Sequence, residues 1–501
     1  MPTTLPTISA SDNSVIDEVL VLGFALDKKS KKFSLLSGEL RVDQGPLLQA
    51  LTDLGASGAS DEVIKLPGSA SKLILLTALT PKADGSIAHE VLRRAAGAAA
   101  RSLAGTTSAT FALPQASKQD FQAIAEGALL GAYTFDEFRG SSKADRKPAL
   151  KKITIYAKKA KDKSFLQAIK RAEIIAKYTH LTRDLINTPP SHLTPDSFSL
   201  RFKKLAASLG VKVEILNETQ LIKGGYGGII GVGQGSANPP RLLRLSYSGK
   251  GAKKRYAFIG KGITFDTGGL ALKPAQGMEA MKSDMSGAAA VCAAVLAIAE
   301  LKLPINVDAW AALAENMVSD KATRPSDIIT IYGGKTVEVL NPDAEGRLVL
   351  ADAMVRAAEV GKKAGGLDGM VDVATLTGAQ VVALGTRTSA VMTNNESFRE
   401  QFLTLAEITG EAFWPMPLPE ELRASLDSPV ADMANIGDRM GGMLVAGLFL
   451  KDFVDSELPW LHLDIAGPAY NEAKAHGYTP VGGTGVALRT LVALAESSAA
   501  K

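Results

Sequence analysis

Apolar residues in the first third of the chain fall into short continuous runs and longer helix-like repeats. The runs at 15–26 and 71–79 predict buried strands, whereas 89–105 and 120–135 carry apolar residues at helical spacing. A mixture of strands and helices indicates a smaller N-terminal α/β domain, which we expect to cover residues 1–163.

A long helical pattern follows this domain. Apolar residues recur at helical spacing from 165 to 188, and Pro189 and Pro190 stop the pattern because proline cannot continue a helix. Residues 164–186 are therefore predicted to form a helix that connects two domains.

Beyond this helix, strand-like runs alternate with helix-like segments. The predicted strands lie at 211–216, 256–260, 307–313 and 370–376, and the predicted helices at 287–301 and 347–360. Such alternation predicts a mainly parallel sheet with helices on both faces, and ligands gather at the carboxyl ends of its strands. We therefore expect an α/β fold of two domains, the larger being a C-terminal domain at 187–501 that would carry any catalytic residues at the ends of its strands.

The composition of the whole chain restricts which kinds of functional site are possible. The 501 residues include 56 basic and 52 acidic side chains, and a net charge of +4 excludes a polyanion binder that works through bulk charge. Cys292 is the one cysteine, so a cysteine-rich metal site is excluded, and its apolar neighbours predict a core position. The five histidines are too far apart for an HExxH or His-x-His pair. Any metal site would be built mainly from carboxylates.

One segment of the chain is strongly basic. Residues 143–163 contain nine lysines or arginines and two aspartates. Runs of charge are usually solvated faces, and we interpret this one as an exposed surface beside a strand at 153–157. A nucleic-acid or partner-binding patch remains the alternative.

Targeting signals are not evident in the sequence. The first 15 residues have neither a basic region nor an apolar core, so we expect no signal peptide. The longest mostly apolar stretch, 288–301, is shorter than the roughly 20 residues that span a bilayer. We expect a cytoplasmic protein without a membrane segment.

Charged residues interrupt the apolar pattern of the C-terminal domain. Two apolar strand-like runs are interrupted by Lys261 and closed by Asp266, with glycines at 262, 268 and 269 and then Lys273. A buried charge is costly unless it is paired or bound to a metal. A Lys–Asp ion pair is one explanation. A ligand site is the other, because glycines let the backbone approach a ligand closely.

Two further acidic elements precede helices. Asp284 stands before the apolar helix at 287–301, where capping of that helix would also explain it. Asp343, Glu345 and Arg347 alternate with small residues, and in an extended segment this alternation points all three side chains to one side. A surface turn with an ion pair is the alternative.

These segments place four carboxylates in the loops of one domain. Clustered carboxylates repel one another and raise each other's pKa, and two divalent cations would balance their charge. The composition is typical of a two-metal hydrolytic site, with ions about 3.5–4 Å apart. Oxygen-rich ligands suit Mn²⁺ or Mg²⁺, and Zn²⁺ is also compatible. The sequence has neither a P-loop nor a GxSxG motif.

From about residue 187 to the C-terminus, the sequence resembles the leucyl aminopeptidase (cytosol aminopeptidase) family of two-metal exopeptidases. The carrying motifs are KGITFDTGG at 261–269 with Lys273, SDM at 283–285 and NPDAEGRL at 341–348, supported by AENM (314–317), DVATLTGA (372–379) and HLDIAG (462–467). Position 342 is proline where the family usually has threonine, and proline removes a backbone N–H beside Asp343.

The resemblance implies a metal-binding set of five residues. The implied ligands are Lys261, Asp266, Asp284, Asp343 and Glu345. Asp266 and Glu345 would bridge two ions, Mn or Zn. Lys261 would bind as a neutral amine, its pKa being lowered by the charge of the metals.

The resemblance also implies catalytic and substrate-binding residues. Lys273 would polarise the scissile carbonyl and stabilise the oxyanion. Arg347 would hold a bicarbonate ion that acts as general base, or would aid the tetrahedral intermediate directly. The implied substrate-pocket positions are Met281, Asn341, Thr375, Gly378 and Ala466.

The implied activity is release of N-terminal residues, preferentially leucine and other apolar ones, from peptides by metal-activated water. The implied assembly is a homohexamer with active sites facing an interior cavity. Another two-metal hydrolase, such as a phosphoesterase, is the first alternative, but the ordered pair of lysines weighs against it. Some bacterial relatives are thought also to bind DNA, and the basic segment is the one feature of this sequence that would support such a role.

Overall fold

The computed structural model describes residues 4–13, 17–68 and 71–499. The chain divides into two compact units, one made of Met1–Leu181 with Glu472–Val481 and the other of Thr182–Asn471 with Gly482–Lys501. The division at 1–163, 164–186 and 187–501 stays a prediction. Residues 1–3 and 14–15 of the stretch considered for a signal peptide, and 15–16 of the first predicted strand, lie outside the described residues.

The first unit is built on a seven-stranded sheet. Its strands are β1 (Thr7–Ser11), β2 (Val19–Leu26), β3 (Phe33–Leu36), β4 (Val63–Pro67), β5 (Leu73–Ala78), β6 (Ser108–Ala112) and β7 (Lys152–Tyr156). The order is β1-β7-β6-β2-β5-β4, with β3 also paired to β2. The pairs of β4 and β3 are antiparallel and the others are parallel. The central strand β2 is apolar at nearly every position because both of its faces are buried.

Helices pack on this sheet and supply much of its core. They are α1 (Gly45–Asp53), α2 (His89–Ser102), α3 (Lys118–Gly131) and α4 (Lys163–Asn187), with a 3-10 helix at Ser141–Lys143. Helix α4 ends just before Pro189, as the sequence predicted. The boundary between the two units falls inside α4.

A segment from late in the chain, Glu472–Val481, belongs to the first unit. Tyr478 is part of the core of that unit, and its hydroxyl donates to Glu90 Oε1 at 2.9 Å. Gly97 of α2 makes room for it, since a Cβ at that position would lie 2.5 Å from the Cβ of Tyr478. The first unit therefore needs this segment to complete its core.

The second unit is built on an eight-stranded sheet with the order β16-β15-β18-β14-β10-β11-β9-β8. The strands of the unit are β8 (Lys212–Leu216), β9 (Arg241–Ser248), β10 (Arg255–Asp266), β11 (Asn306–Asn316), β12 (Asp327–Thr330), β13 (Thr336–Val339), β14 (Gly369–Ala374), β15 (Ser389–Thr393), β16 (Phe413–Pro415), β17 (Met433–Ala434), β18 (Trp460–Asp464), β19 (Tyr470–Asn471) and β20 (Gly482–Gly483). The four central strands β11, β10, β14 and β18 are parallel. The mainly parallel α/β fold predicted from the sequence is confirmed.

Helices lie on both faces of this sheet. They are α5 (Pro195–Ala206), α6 (Glu218–Gly224), α7 (Gly227–Gly233), α8 (Ser286–Glu300), α9 (Gly346–Lys363), α10 (Gly378–Leu384), α11 (Glu396–Thr409), α12 (Gly442–Lys451) and α13 (Leu488–Ala499), with 3-10 helices at Met278–Ser283 and Glu420–Leu426. Gly260 of β10 touches α8, since a Cβ there would lie 2.4 Å from Ala288 Cα. Its neighbour Ile259 packs with apolar residues of α9. Because successive residues of a strand point to opposite faces, α8 and α9 cover opposite sides.

The apolar helix α8 is buried all round, and Cys292 on it is fully buried, as its sequence context indicated. The helical stretch Met278–Glu300 is long and apolar enough to cross a membrane, but 94% of its most apolar window is buried inside the protein. A core helix of this kind is weak evidence for a membrane span.

Two details of the sequence interpretation are wrong. Lys261 does not separate two runs, because β10 is one strand of 12 residues. Asp343, Glu345 and Arg347 do not lie in an extended segment: Asp343 is in a turn, Glu345 has φ −80° and ψ −34°, and Arg347 is in the first turn of α9. The helix starts at Gly346, so the period of two does not apply there.

Candidate active site

The central parallel strands of the second unit end at a cavity of about 620 Å³. Strand β10 contributes Lys261 and Asp266, the loop after β14 contributes Thr375, and the turn after β18 contributes Ala466. All twelve residues singled out in the sequence line this one cavity: Lys261, Asp266, Lys273, Met281, Asp284, Asn341, Asp343, Glu345, Arg347, Thr375, Gly378 and Ala466. The structure brings them together, and their individual roles stay predictions.

The end of β10 is held by a network around Asp266. Asp266 Oδ1 accepts hydrogen bonds from the backbone N–H of Gly268 at 2.8 Å and from Asn316 Nδ2 at 2.9 Å. Gly268 has φ +85°, and a Cβ there would lie 2.8 Å from Asp343 Oδ1. Glycine is therefore required both for the backbone conformation and for the close approach of Asp343.

Lys261 is buried among carboxylates. Its Nζ lies 2.8 Å from both Asp284 Oδ1 and Glu345 Oε1, and it donates to the carbonyl of Thr375 at 2.8 Å. Gly346, at the start of α9, lets the lysine lie against the helix, because a Cβ there would be 2.6 Å from Lys261 Cε. These contacts satisfy the charge that the sequence placed inside a buried strand.

Lys273 contacts the other half of the acidic cluster. Its Nζ lies 2.9 Å from Asp266 Oδ2 and also forms a short ion pair with Asp343. The side chain is 21% exposed, whereas that of Lys261 is 4% exposed. Lys273 is therefore more accessible from the cavity than Lys261.

Arg347 projects from the first turn of α9 into a buried position. Its Nη1 donates to the carbonyl of Asn435 at 2.8 Å, and its guanidinium lies 5.9 Å from the ring centre of Phe449. The Nε atom is buried and has no hydrogen-bond partner among the described residues. Burial lowers the pKa of Arg347 to about 10, which still leaves it charged at neutral pH.

The pKa values of Asp284, Glu345, Lys261 and Lys273 are all raised. Burial, opposed by Lys261, raises the pKa of Asp284, and burial with the charge of Asp266 raises that of Glu345. Burial alone would lower the pKa of both lysines, but the neighbouring carboxylates outweigh it and raise both above the usual range. Ligation through a neutral Lys261 amine therefore requires cation charge to reverse that direction.

The donor set fits divalent cations. One ligand oxygen from each of Asp266, Asp343 and Glu345 lies within 4.8 Å of the others. Glu345 Oε2 is buried without a hydrogen-bond partner in the described part of the chain. Buried polar atoms are normally satisfied, and an unsatisfied carboxylate oxygen in a cluster of oxygens matches the preference of such ions.

Sequence reasoning missed two asparagines that hold the site together. Asn316, at the end of β11, joins Asp266 to the carbonyl of Pro342 at 3.2 Å. Asn435, after β17, donates to the carbonyl of Asn341 at 2.7 Å and positions Arg347 through its own carbonyl. Asn316 lies in the AENM motif and could have been found there. Asn435 has no comparable signal.

The loop between β17 and α12, with the first residue of α12, was also missed. Ile436, Gly437, Asp438, Arg439 and Gly442 line the cavity beside the predicted pocket residues. A turn rich in glycine and charge is common in loops, so its presence in the sequence did not point to a site.

Two family models match the chain. Residues 180–492 match the catalytic domain of the cytosol aminopeptidase family, and residues 21–142 match its N-terminal domain. The chain belongs to the cytosol aminopeptidase family. Membership confirms the family suggested by the sequence motifs and makes the protein a metal-dependent aminopeptidase, hence a hydrolase and a protease.

Individual relatives agree over almost the whole chain. A probable cytosol aminopeptidase of Streptomyces avermitilis is 52% identical, covering 99% of each sequence. One of Nocardia farcinica is 48% identical, covering 97% of this chain and 95% of the relative. Among solved structures, the bottromycin maturation enzyme BotP in complex with Mn is 36% identical, with a TM-score of 0.84, covering 96% of this chain and 99% of BotP.

Proposed function

We propose that the protein releases N-terminal residues, preferentially leucine and other apolar ones, from peptides with the help of two divalent ions. The ligands would be Lys261, Asp266, Asp284, Asp343 and Glu345, which would hold the ions that activate water. The carboxylate cluster around the unsatisfied Glu345 Oε2 supports this assignment. Mn or Zn would occupy the site, and the solved complex of BotP with Mn favours the former.

Bound divalent ions would polarise the scissile carbonyl and lower the pKa of the attacking water. Lys273 would add a positive charge on the open side of the cluster. Burial lowers the pKa of Lys273, but the charges of Asp266, Glu345 and Asp343 outweigh it and raise that pKa. We propose that Lys273 acts as an ammonium. A fixed ammonium there can stabilise negative charge that develops on the carbonyl oxygen in the transition state.

Arg347 would bind an anion through its guanidinium group. Its Nη1 is held by the carbonyl of Asn435, while its buried Nε has no partner among the described residues. A bicarbonate ion bound there would act as general base, or the guanidinium would aid the tetrahedral intermediate directly. In either role the residue acts through permanent charge, because arginine is not deprotonated in proteins.

The substrate would lie along the remaining walls of the cavity. Met281 and Ala466 are apolar, and a Cβ at Gly378 would have open space within 4 Å, which leaves room for a substrate side chain. Asn341 and Thr375 would contact the substrate beside them. Asp284 and a metal ion would hold the free amino group that an exopeptidase must recognise.

The basic segment 143–163 is proposed to be a solvated surface, and a secondary DNA-binding role is the alternative. Four of its lysines have carboxylate neighbours within the first unit: Lys143 with Asp136 at 3.1 Å, Lys152 with Asp17 at 2.8 Å, Lys158 with Glu39 at 3.9 Å and Lys161 with Asp12 at 3.0 Å. Pairing of this kind reduces the charge that is available for phosphates.

We further propose a homohexamer with active sites facing an interior cavity, located in the cytoplasm and not attached to a membrane. The family to which the chain belongs is named for the cytosol, which supports the compartment. Measurement of the mass in solution tests the assembly, and a monomer at micromolar concentration would contradict it.

Metal analysis beside an aminoacyl-anilide assay tests the proposed reaction. We expect two ions per subunit, loss of leucyl-anilide hydrolysis on exhaustive chelation, and recovery with Mn²⁺, Zn²⁺ or Co²⁺. Leucyl-anilide should be cleaved faster than glutamyl-anilide. Full activity in demetallated protein would contradict the metal mechanism, and phosphate-ester hydrolysis without peptidase activity would favour the other two-metal hydrolase.

A further inference from the structure

Asp464 is a fully buried carboxylate at the end of β18. Its Oδ1 accepts hydrogen bonds from the backbone N–H groups of Leu376 at 3.1 Å and Ala466 at 3.2 Å. Its Oδ2 accepts from Thr377 Oγ1 at 2.7 Å. A carboxylate held by several donors in the interior defines the relative position of those donors, because each unmade bond would cost free energy.

The partners of Asp464 belong to two walls of the active-site cavity. Leu376 and Thr377 are in the loop after β14, and Ala466 follows β18. One side chain thus joins the ends of two adjacent strands beside the predicted substrate pocket. Gln380 adds a second link between these walls, because its Oε1 accepts from the Gly467 N–H at 2.7 Å.

The loop held by Asp464 also contacts the acidic cluster. The carbonyl of Thr375 accepts from Lys261 Nζ at 2.8 Å, and Thr375 Oγ1 donates to Asp284 Oδ1 at 2.7 Å. One end of the loop is therefore attached to the proposed metal ligands and the next residues are attached to Asp464. Because it is attached at both points, the loop has little freedom to move and so to change the width of the pocket.

We propose that Asp464 is a positioning residue that sets side-chain selectivity by holding the 375–378 wall against Ala466. This inference rests on the proposed function, which assigns Thr375, Gly378 and Ala466 to the substrate pocket. When Asp464 is changed, the two walls separate and contacts with a large apolar side chain weaken. A small side chain loses less, because it makes fewer contacts with the walls.

The test compares the holoenzyme with Asp464→Asn and Thr377→Val on leucyl- and alanyl-anilide. Both variants should lower the leucyl-to-alanyl ratio of kcat/KM by about tenfold, the low end of what pocket contacts contribute to discrimination. Thr377→Ser keeps the hydroxyl and should keep the ratio. Metal content should be unchanged in all variants, which separates the effect from loss of ligands.

Asp352→Asn is the matched control. Asp352 is also fully buried and accepts hydrogen bonds from backbone N–H groups, including those of Ile229 and Tyr332 at 2.7 Å each, but it does not line the cavity. We expect this variant to be less stable and to keep the leucyl-to-alanyl ratio. The comparison separates loss of a buried carboxylate from loss of the pocket wall.

A loss of kcat in Asp464→Asn that is common to both substrates is not a loss of selectivity. That effect cancels in the ratio. An unchanged ratio in both Asp464→Asn and Thr377→Val, with active wild-type enzyme, would overturn this inference alone. If Asp464→Asn does not fold, Thr377→Val still decides. A wild-type holoenzyme that cleaves neither anilide would overturn the proposed function as well.

Discussion

Lys261 and Lys273 lie in one segment, yet their surroundings predict different consequences when each is replaced by alanine. Lys261 lies 2.8 Å from Asp284 and Glu345, whose side chains are 8% and 2% exposed. Lys273 is 21% exposed and contacts Asp266 and Asp343 from the cavity side. We expect Lys261→Ala to weaken metal binding by the cluster, and Lys273→Ala to weaken stabilisation of the transition state.

The magnitudes follow from these environments. Removal of one oxyanion donor costs roughly 10²–10³ in kcat, or about 2.7–4 kcal/mol. Because Lys273 is partly exposed, water can partly replace it, so we expect Lys273→Ala to lose about a hundredfold in kcat and to keep both ions. Loss of one partner of a buried ion pair costs about 3–5 kcal/mol, so Lys261→Ala should destabilise the demetallated protein by that order.

The assay combines metal stoichiometry, kcat on leucyl-anilide and denaturant unfolding of the demetallated protein. Lys261→Ala should lower metal occupancy as well as rate, whereas Arg347→Ala should keep both ions because arginine cannot serve as a ligand. Lys254→Ala is the control. Its exposed ion pair with Asp368, at 2.7 Å, should contribute little to stability because solvent screens it.

The opposite pattern would refute this reasoning. If Lys273→Ala loses a metal ion while Lys261→Ala keeps both, the two lysines have exchanged roles. If Lys254→Ala lowers the free energy of unfolding as much as Lys261→Ala does, the unfolding assay does not separate buried from exposed ion pairs.

Three further predictions test the site and the basic surface. N-acetylated peptides should resist cleavage, since the free amine is lost, and equal cleavage of free and acetylated peptides would contradict exopeptidase action. Gly346→Ala should lower metal content and activity, because its Cβ would lie 2.6 Å from Lys261 Cε; unchanged metal content would show that Lys261 can move without consequence. DNA binding should be undetectable at low salt; if it is seen and falls steeply with salt, neutralising Lys151 and Lys159 should weaken it without affecting peptidase activity.

Much of the fold could be predicted because its signals are local. The apolar run of β10 and the all-apolar helix α8 are readable from periodicity, and their alternation leads to a parallel sheet. The candidate residues also converge on one cavity because the carboxyl ends of parallel strands meet at one edge.

The turn at Asp343 and the contacts between residues far apart in the chain could not be predicted from periodicity. Asp343 and Arg347 were expected on one side of an extended segment, but the chain turns at Asp343 and enters α9 at Gly346. Both side chains reach the cavity through the turn and not through period-two alternation. Asn435 binds Asn341 through its side chain and Arg347 through its backbone carbonyl, and both partners lie about ninety residues earlier in the chain, so no local pattern indicated these contacts.

The association of Glu472–Val481 with the first unit has a consequence for synthesis on the ribosome. Residues up to Leu181 emerge early, but Tyr478 of the same core emerges only after most of the chain has been translated. At about 5–20 residues per second, the interval is roughly 15–60 s. During that time the groove beside Gly97 lacks its aromatic side chain, so the N-terminal unit reaches its final packing late although most of its residues are made first.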